Sequence, residues 1–431
     1  MRPNGRLGMA AALLVALVAF GHRSGVQAAG GGAEPGGPYR VLAPIESGNL
    51  LLFPVVRTGG RTVEGTPFLT LDEGIKSGEV EVTEAGRAQG LVRPRGAQPP
   101  VHDDRFRGYP QPEPLPYRTD QVNTLVLMNH SDKPLLLLAG EIVTGGKQDR
   151  VIAKDRIVPA GAEPINLGVF CIEPGRWTGA SSSFGAAAKA PAHSFMVQPT
   201  VRAKAMAAKD QQQVWDSVHS SIAQMEVAAA PAADASMGGG GGYSASTGTT
   251  SYAKVMADSS VSAKVDEAAA PVMQAREKVL GRLRNEHAVG VVVAVRGQIV
   301  WADLFASTDL LARYWTKLVR SYAAESLTAG EDHAAPTVAD AERFLQAPSG
   351  GTETSEGEVG VYRYRELRSG GTETFVLESL LPGTGYDVHM SRMRLREAER
   401  RMRPMNFDVP PYNPPHVEPA PRMDPQPLIY R

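Results

Sequence analysis

The stretch LLLLAGEIVTGGKQDRVI, residues 135–152, decides the fold, together with VPAG at 158–161 and NLGVFCIEPGRW at 166–177. Its leucine run stops at Gly140, and charged residues and a glycine pair follow before a β-type pattern returns. Paired glycines reach positive φ and are typical of hairpin turns. The stretch therefore predicts two strands joined by a polar turn, and this juxtaposition is where a functional site is expected.

Short β patterns lie on both sides of this stretch. Apart from the leucine run, strands are predicted at 39–56, 78–83, 124–128, 150–158 and 165–172. Short strands at this spacing, separated by Gly and Pro turns, are typical of a sandwich or a jelly-roll-like barrel.

Helical patterns come later in the chain. Apolar residues recur at helical spacing in 201–225 and 310–326, and a third helix is predicted over 272–285, directly after Pro271. A β-hairpin is predicted over 289–305. The predicted fold class is therefore α+β: a β-sandwich or barrel-like core with two or three long helices packed on it.

Composition divides the chain into folded and unfolded parts. Residues 29–38 form a Gly/Ala/Pro linker, 229–252 form a Gly/Ser-rich linker, and 393–431 form a Pro-rich tail. Such segments bury too little apolar surface to order themselves, so we expect linkers and tail to be disordered. The folded part is predicted to be one domain, with a β-rich portion over 39–228 and its α+β continuation over 253–392.

The N-terminus has the pattern of a signal peptide. Arg2 and Arg6 precede an apolar run at 7–20, and Val-Gln-Ala ending at Ala28 matches the small-x-small cleavage rule. The run is shorter than the about 20 residues of a transmembrane helix, although an uncleaved membrane anchor is the alternative. We expect residues 1–28 to be removed and the protein to be exported, periplasmic or extracellular, meeting a membrane only during export.

Charge and cysteine content exclude several functions. The 431 residues carry a net charge of −1, which gives no indication of a nucleic-acid partner. The single cysteine, Cys171, excludes an internal disulfide. The nine histidines show no HxH, HExxH or paired Cys/His spacing, so no metal site is predicted.

The glycine-rich turn superficially resembles a phosphate-binding loop. Five residues rather than four separate Gly140 from Gly146, and Gln148 stands where Ser or Thr would hold magnesium. A strand pattern follows where a helix N-terminus is required. No nucleotide or other cofactor is therefore predicted.

Two interpretations of the turn remain open. In the structural one, Lys147, Gln148 and Asp149 are solvated, and Glu141 pairs with Arg150 across the hairpin. In the functional one, Lys147 and Arg150 hold an anion, Gln148 adds hydrogen bonds, and Glu141 acts as an acid/base or orienting group. Both interpretations use the Gly-Gly pair as the turn itself.

The CIEPGRW segment contributes the remaining candidates. Cys171 falls on the same strand face as Leu167, which predicts an unreactive thiol in the core. Glu173 ends that strand and is the second catalytic candidate. Arg176 and Trp177 either stack on each other inside the fold or form an aromatic and cationic patch for a ligand.

The strings AGEIVTGGKQDRVI, CIEPGRW, QQQVWDSV and RYWTKLVRSYAAESL together resemble one bacterial domain family. It is named for its association with ADP-ribosylglycohydrolase and rhodanese-phosphatase proteins, and the similarity runs from about residue 40 to about residue 392. The resemblance implies a link to ADP-ribose or nucleotide processing, whereas the export signal departs from a cytoplasmic role. By resemblance, the motif positions are Glu141, Gly145, Gly146, Lys147, Gln148, Arg150, Cys171, Glu173, Arg176 and Trp177.

The sequence favours an exported binding or scaffold protein that uses the 141–150 turn and the 173–177 edge to contact a ligand or protein partner. The alternative is a hydrolase or binder of a phosphate-bearing or ADP-ribose-like ligand. An enzyme requires Glu141, Arg150, Glu173 and Arg176 to converge in one pocket, whereas a scaffold would spread them over a convex face.

Signal cleavage gives the first prediction. The mature protein should begin at Ala29, because the small-x-small site ends at Ala28. The intact mass of the secreted protein measures this directly. A mature chain that keeps residues 7–20 would contradict it.

Overall fold

The computed structural model describes residues 39–59, 63, 67–84, 123–174, 183–186, 195–230, 248–274, 276–328, 330–346 and 350–394. The strands within these ranges are β1 (Tyr39–Val41), β2 (Ile45–Ser47), β3 (Leu50–Arg57), β4 (Leu69–Thr70), β5 (Val80–Glu84), β6 (Thr124–Asn129), β7 (Leu135–Leu137), β8 (Ile142–Gly145), β9 (Arg150–Ile152), β10 (Arg156–Val158), β11 (Ala162–Cys171), β12 (Ser183–Ala186), β13 (Ala288–Val295), β14 (Gln298–Phe305), β15 (Thr352–Glu358), β16 (Tyr362–Ser369), β17 (Thr372–Ser379) and β18 (Tyr386–Arg394). The helices are α1 (Leu71–Ser77), α2 (Pro199–Ala203), α3 (Gln211–Ala229), α4 (Tyr252–Ala257), α5 (Ser259–Gln274), α6 (Arg276–Asn285), α7 (Thr308–Ser326) and α8 (Val338–Leu345), with a π-helical turn at Lys204–Ala208.

The largest element is an antiparallel sheet of nine strands. Its order is β1-β3-β13-β14-β18-β17-β16-β15, and β2 pairs with β3 beside this path. Strand β3 pairs directly with β13, so the first and last parts of the described chain share one sheet. The predicted hairpin is present as β13 and β14.

A closed barrel forms the second β unit. Six strands follow one another in the order β11-β6-β5-β12-β8-β9, and β9 pairs back to β11. Alternate residues of β11, such as Ile165, Leu167 and Val169, are buried in the same cluster as residues of β5 and β6. A small sheet of β10, β7 and β4 lies outside the barrel path. The α+β class with a barrel-like core is confirmed.

Three long helices, α3, α5 and α7, pack into the main core with the nine-stranded sheet. Helix α7 buries Leu311, Trp315, Leu318 and Tyr322, which lie at helical spacing within the predicted range 310–326. It begins at Thr308, two residues before the predicted start, because the Ser307 hydroxyl accepts a hydrogen bond from the Leu310 backbone amide and so caps the helix. None of the described helices is long and apolar enough to cross a membrane.

The helix expected over 272–285 begins earlier than predicted. Helix α5 starts at Ser259, continues through Pro271 and is followed by α6. An interior proline costs about 3 kcal/mol because it removes a hydrogen bond and clashes with the preceding turn. Here Pro271 lies on the exposed side of α5. The opposite side buries Val261 and Val265 with other apolar residues, and this burial offsets the cost.

Two other boundaries differ from the sequence prediction. The helix expected over 201–225 is interrupted: a π-helical turn follows α2, Lys209 adopts a left-handed φ of 53°, and Asp210 then caps α3. The linker expected over 229–252 is too long at its C-terminal end. Ser251 and Tyr252 are fully buried there, because they begin α4 and bond to the rest of the core. The tail predicted at 393–431 lies almost entirely outside the described residues.

Candidate functional site

The GGKQDR turn is a hairpin between β8 and β9, with Ile142 opposite Val151. Gly145 and Gly146 have φ values of 113° and 53°, as the paired glycines predicted. A Cβ atom on Gly146 would lie 2.2 Å from the ring of Phe184 in β12. Gly146 is therefore required both by its backbone conformation and by the close approach of a barrel strand.

Gln148, Asp149 and Arg150 are buried, and the expectation that Gln148 and Asp149 are solvated is wrong. Gln148 is 5 % exposed, and Arg150 is fully buried. The Gln148 side-chain amide donates to the Glu173 backbone carbonyl oxygen at 3.1 Å, and the Asp149 backbone amide donates to the Glu173 carboxylate at 3.1 Å. The turn can be buried because Glu173 and Asp149 accept the hydrogen bonds that its donors would otherwise make to water.

Carboxylates surround the buried arginine. Burial lowers the pKa of Arg150, while the negative charges of Glu84, Asp149 and Glu173 act in the opposite direction. The Asp149 carboxylate also accepts bonds from the Gly145 amide at 3.1 Å and from the Ser251 hydroxyl at 2.6 Å. We call Glu84, Asp149, Arg150 and Glu173 the turn cluster. Its groups bond to each other and to the neighbouring backbone, an arrangement typical of structural support.

Glu141 does not pair with Arg150. It lies just before β8, in an isolated bridge with Met196, and its carboxylate contacts the Lys317 ammonium of α7 at 2.6 Å. Lys317 also contacts Asp72 at 2.6 Å. Burial raises the pKa of Glu141, although the charge of Lys317 opposes this. The predicted cross-strand pair is wrong because α7 offers a cation on the other side of the chain.

The structure places the predicted site residues in two separate clusters. Glu141 is held by α7, whereas Arg150 and Glu173 belong to the turn cluster. Lys147 is half-buried at the turn, and its backbone amide donates to Glu84 at 2.8 Å. Ligand binding by Lys147, Gln148 and Arg150 stays a prediction. The remaining candidates, Arg176 and Trp177, lie outside the described residues.

Cys171 is buried as the strand pattern predicted. Its backbone exchanges two hydrogen bonds of 2.9 Å with the side chain of Gln211, which extends the strand with an amide from α3. Burial raises the pKa of the thiol, so the thiolate needed for nucleophilic chemistry is disfavoured. Among the residues that the structure describes, no group of three or more His, Cys, Asp or Glu side chains is placed to hold a metal ion.

The sequence interpretation missed a buried charge network centred on His389 of β18. Its Nδ1 lies 2.6 Å from the Asp155 carboxylate, and its Nε2 lies 3.1 Å from the carboxylate of Asp303 in β14. All three side chains are fully buried. The signal in the sequence was an aspartate within the largely apolar strand β14 and a histidine between Val388 and Met390 of β18.

Arg202 of α2 completes this network. Its Nη1 donates to Asp303 at 2.8 Å, and its guanidinium lies 4.7 Å from the ring centroid of Trp301. Gly140 makes room for it, since a Cβ atom there would lie 2.9 Å from the Arg202 side chain. The adjacent Ala139 amide donates to Asp155 at 2.7 Å. We call Asp155, Arg202, Asp303 and His389 the charge clamp.

The charges of the clamp stabilise one another. Burial alone would lower the pKa of His389, but the carboxylates of Asp155 and Asp303 raise it to about 9. Burial alone would raise the pKa of Asp303, but Arg202 and His389 hold it well below its usual range. At neutral pH Arg202 and His389 are therefore cationic, and Asp303 is a carboxylate.

A polar cavity of about 270 Å³ lies among α2 with its π-helical turn, α3, and the residues that follow α7. Its lining consists of five hydroxyl side chains, three glutamines, one lysine and one aspartate. Gln198, the N-cap residue of α2, is fully buried at this cavity. Its backbone amide donates to the Tyr252 hydroxyl at 3.2 Å, and that hydroxyl donates to the Gln198 side-chain oxygen at 3.4 Å.

Two of the residues that line the cavity each have one buried polar atom without a hydrogen-bond partner among the described residues. These atoms are Nε2 of Gln198 and Oγ of Ser217 in α3. Leaving a buried donor unmatched costs about 1–3 kcal/mol, so such atoms mark places where a further group binds. No sequence pattern indicated this site, since its walls come from separate helices and a helix interruption.

The charge clamp predicts a specific pH dependence of stability. The pKa of His389 is raised to about 9 in the folded protein, against about 6.5 when unfolded. Its contribution is therefore complete below about pH 6.5 and is lost as pH rises through about 9, a change on the order of 3 kcal/mol. Denaturant unfolding measured between about pH 6 and 10 tests this.

Two variants control that experiment. In His389→Gln the loss between about pH 6.5 and 9 should disappear. Asp155→Asn removes the carboxylate that bonds to Nδ1 of His389, so the loss of stability should occur at lower pH than in the wild type. A wild-type profile identical to that of His389→Gln would contradict the assignment.

Comparisons with known proteins bear on the whole described region. Residues 38–393 match the model of one domain family, described as the ARG and Rhodanese-Phosphatase-superfamily-associated Protein domain. Neither the curated proteins nor the solved structures contain a match. The family description records association with other proteins and states no ligand. Because the match covers most of the chain, this protein belongs to the ARPP-1 domain family.

Proposed function

We propose that this protein is an exported binding protein that takes up a small polar ligand in the cavity beside α2 and α3. One observation carries the proposal: Gln198 lines the cavity, and its side-chain nitrogen is buried without a hydrogen-bond partner among the described residues. A ligand acceptor at this nitrogen would recover the hydrogen bond that the fold leaves unmade.

The cavity wall is well supported. Glu325 of α7 accepts the backbone amide of Thr200 at 3.0 Å, and Ser321 donates to the Val197 carbonyl oxygen at 2.8 Å. The Tyr252 hydroxyl accepts a hydrogen bond from the backbone amide of Gln198. Thr200 and Lys204 on the wall are partly exposed, which gives a ligand access from solution. A binding site needs such preorganised side chains, because ordering them on binding would reduce affinity.

The π-helical turn supports the same conclusion. It begins at Lys204, which lines the cavity, and is followed by Lys209 with its left-handed φ of 53°. Short π-helical segments are rare and occur frequently at functional sites. The turn lets the chain leave α2 at the cavity rim and start α3 along its wall.

Binding is favoured over hydrolysis by the position of the proposed catalytic residues. The hydrolase alternative requires Glu141, Arg150 and Glu173 to converge on one ligand. Glu141 is instead bonded to Lys317, while Arg150 and Glu173 lie in the turn cluster. We therefore assign the turn cluster to support: Ser251 bonds to Asp149, and the next residue, Tyr252, bonds to Gln198.

Export and a protein partner complete the proposal. The N-terminal pattern at residues 1–28 supports export to the periplasm or beyond. The family description records association with other proteins, which supports a protein partner. The sequence candidates Lys147, Arg176 and Trp177 are the proposed contact residues for that partner, since cationic and aromatic residues are common anchors of interfaces.

Thermal unfolding of the full chain with panels of small polar solutes tests ligand binding. At a concentration ten times its Kd, a ligand should stabilise the protein by about 1.4 kcal/mol and raise the Tm by about 2–4 °C. Gln198→Met, which keeps the side-chain length but removes the amide, should abolish the shift.

The matched control is Gln274→Met, the same change at an exposed position at the end of α5. It should leave the ligand-induced shift intact. If no solute raises the Tm, or if Gln198→Met keeps the full shift, the cavity is not the binding site.

A further inference from the structure

We infer that the ligand of this cavity is an uncharged polyhydroxylated molecule of monosaccharide size. The inference rests on the proposed function and adds the chemical class of the ligand. Ten residues line the cavity, and every one of them is polar. Eight of the ten are hydroxyl or carboxamide side chains, so hydrogen bonding rather than charge gives the site its specificity.

Helix α3 presents these groups in a regular array. Gln213, Ser217, Ser220, Ser221 and Gln224 recur at spacings of three and four residues, which place them on one helix face. Carboxamides and hydroxyls both donate and accept, and each hydroxyl of a vicinal diol does the same. A stripe of such groups therefore matches a row of ligand hydroxyls without requiring one fixed pattern of donors.

Two of the lining residues have a buried polar atom without a partner among the described residues. Gln198 has Nε2, which is a donor, and Ser217 has a hydroxyl that donates or accepts. A ligand hydroxyl accepts from the first and exchanges a bond with the second. An ammonium group on a ligand has no lone pair for Nε2, so it cannot satisfy Gln198.

The charges on the wall argue against an anionic ligand. Among the described lining residues the cationic side chain is Lys204 and the anionic one is Asp216, so their formal charges cancel. Both are at least partly exposed, where solvent weakens any ion pair. A phosphate ester would be attracted by one ammonium and repelled by a carboxylate on the same wall.

The size of the cavity agrees with this class. Its volume of about 270 Å³ lies just below the range of pockets that hold drug-sized ligands, so the cavity suits a small molecule. Larger organic ligands occupy pockets of about 300–1,000 Å³ with mostly apolar linings. Small polar ligands make few apolar contacts, so we expect a Kd between about 1 μM and 1 mM.

Isothermal titration calorimetry on the full chain tests the ligand class with three sets of probes. The first contains neutral hexoses, pentoses and inositol, the second contains glycine and glutamate, and the third contains inorganic phosphate and glucose 6-phosphate. At least one neutral polyol should bind, and its affinity should not change between about 50 and 500 mM salt, since no ion pair is screened. Gln198→Met should weaken binding at least about tenfold, and Gln274→Met should not.

The outcomes separate the ligand class from the proposed function. In one outcome, neutral polyols do not bind, but an amino acid or a phosphate compound does, and Gln198→Met weakens that binding. The proposed ligand class is then wrong, and the cavity remains the binding site. If no probe of any set binds, the cavity is occupied by water only, and both the class and the proposed function are overturned.

Discussion

The rest of the structure depends on a protonated histidine held between two buried carboxylates. His389 and Asp303 belong to neighbouring strands of the nine-stranded sheet, while Asp155 lies in the connection between barrel strand β9 and the small sheet. Taking such charges out of water is expensive, and each remains charged only because the others are present. Removing one partner would leave an uncompensated charge, which typically costs about 3–5 kcal/mol. The clamp therefore fixes how the two β units meet.

The glycine-rich motif and the polar cavity both depend on the position of this clamp. Gly140 leaves space for Arg202, and Glu141 beside it bonds to Lys317 of α7. Arg202 belongs to α2, whose N-cap residue Gln198 lines the cavity. The position of α2, and with it the wall of the cavity, is thus set by an ion pair between Arg202 and Asp303. The motif that suggested a functional site in the sequence thus supports the wall of the proposed binding cavity.

Features that depend on local periodicity could be predicted from the sequence. The hairpin at Gly145 and Gly146, the buried face of α7 and the buried Cys171 all follow from residue spacing of two or three to four. The α+β class follows from the same patterns. Pro271 shows the limit of local rules, because burial of the opposite helix face outweighed its preference for a first turn.

The partners of charged groups could not be predicted from the sequence. His389 and Asp155 are 234 residues apart, and Lys317 and Glu141 are 176 residues apart. Spacing carries no information about such pairs, since they depend on how separate elements pack. The cavity could not be predicted for the same reason. In the sequence Gln198 is only a residue before a proline, and its role depends on α3 and Tyr252 packing beside it.

The protonation state of His389 tests the account most directly. Nitrogen-15 chemical shifts of the histidine rings, recorded at about pH 7.5 and assigned by comparison with His389→Gln, report which ring nitrogens carry protons. This pH lies above the ordinary histidine pKa of about 6.5, so a typical histidine would be neutral. The account predicts that both nitrogens of His389 are protonated. A neutral ring with one unprotonated nitrogen would contradict the clamp as a set of mutually stabilised charges.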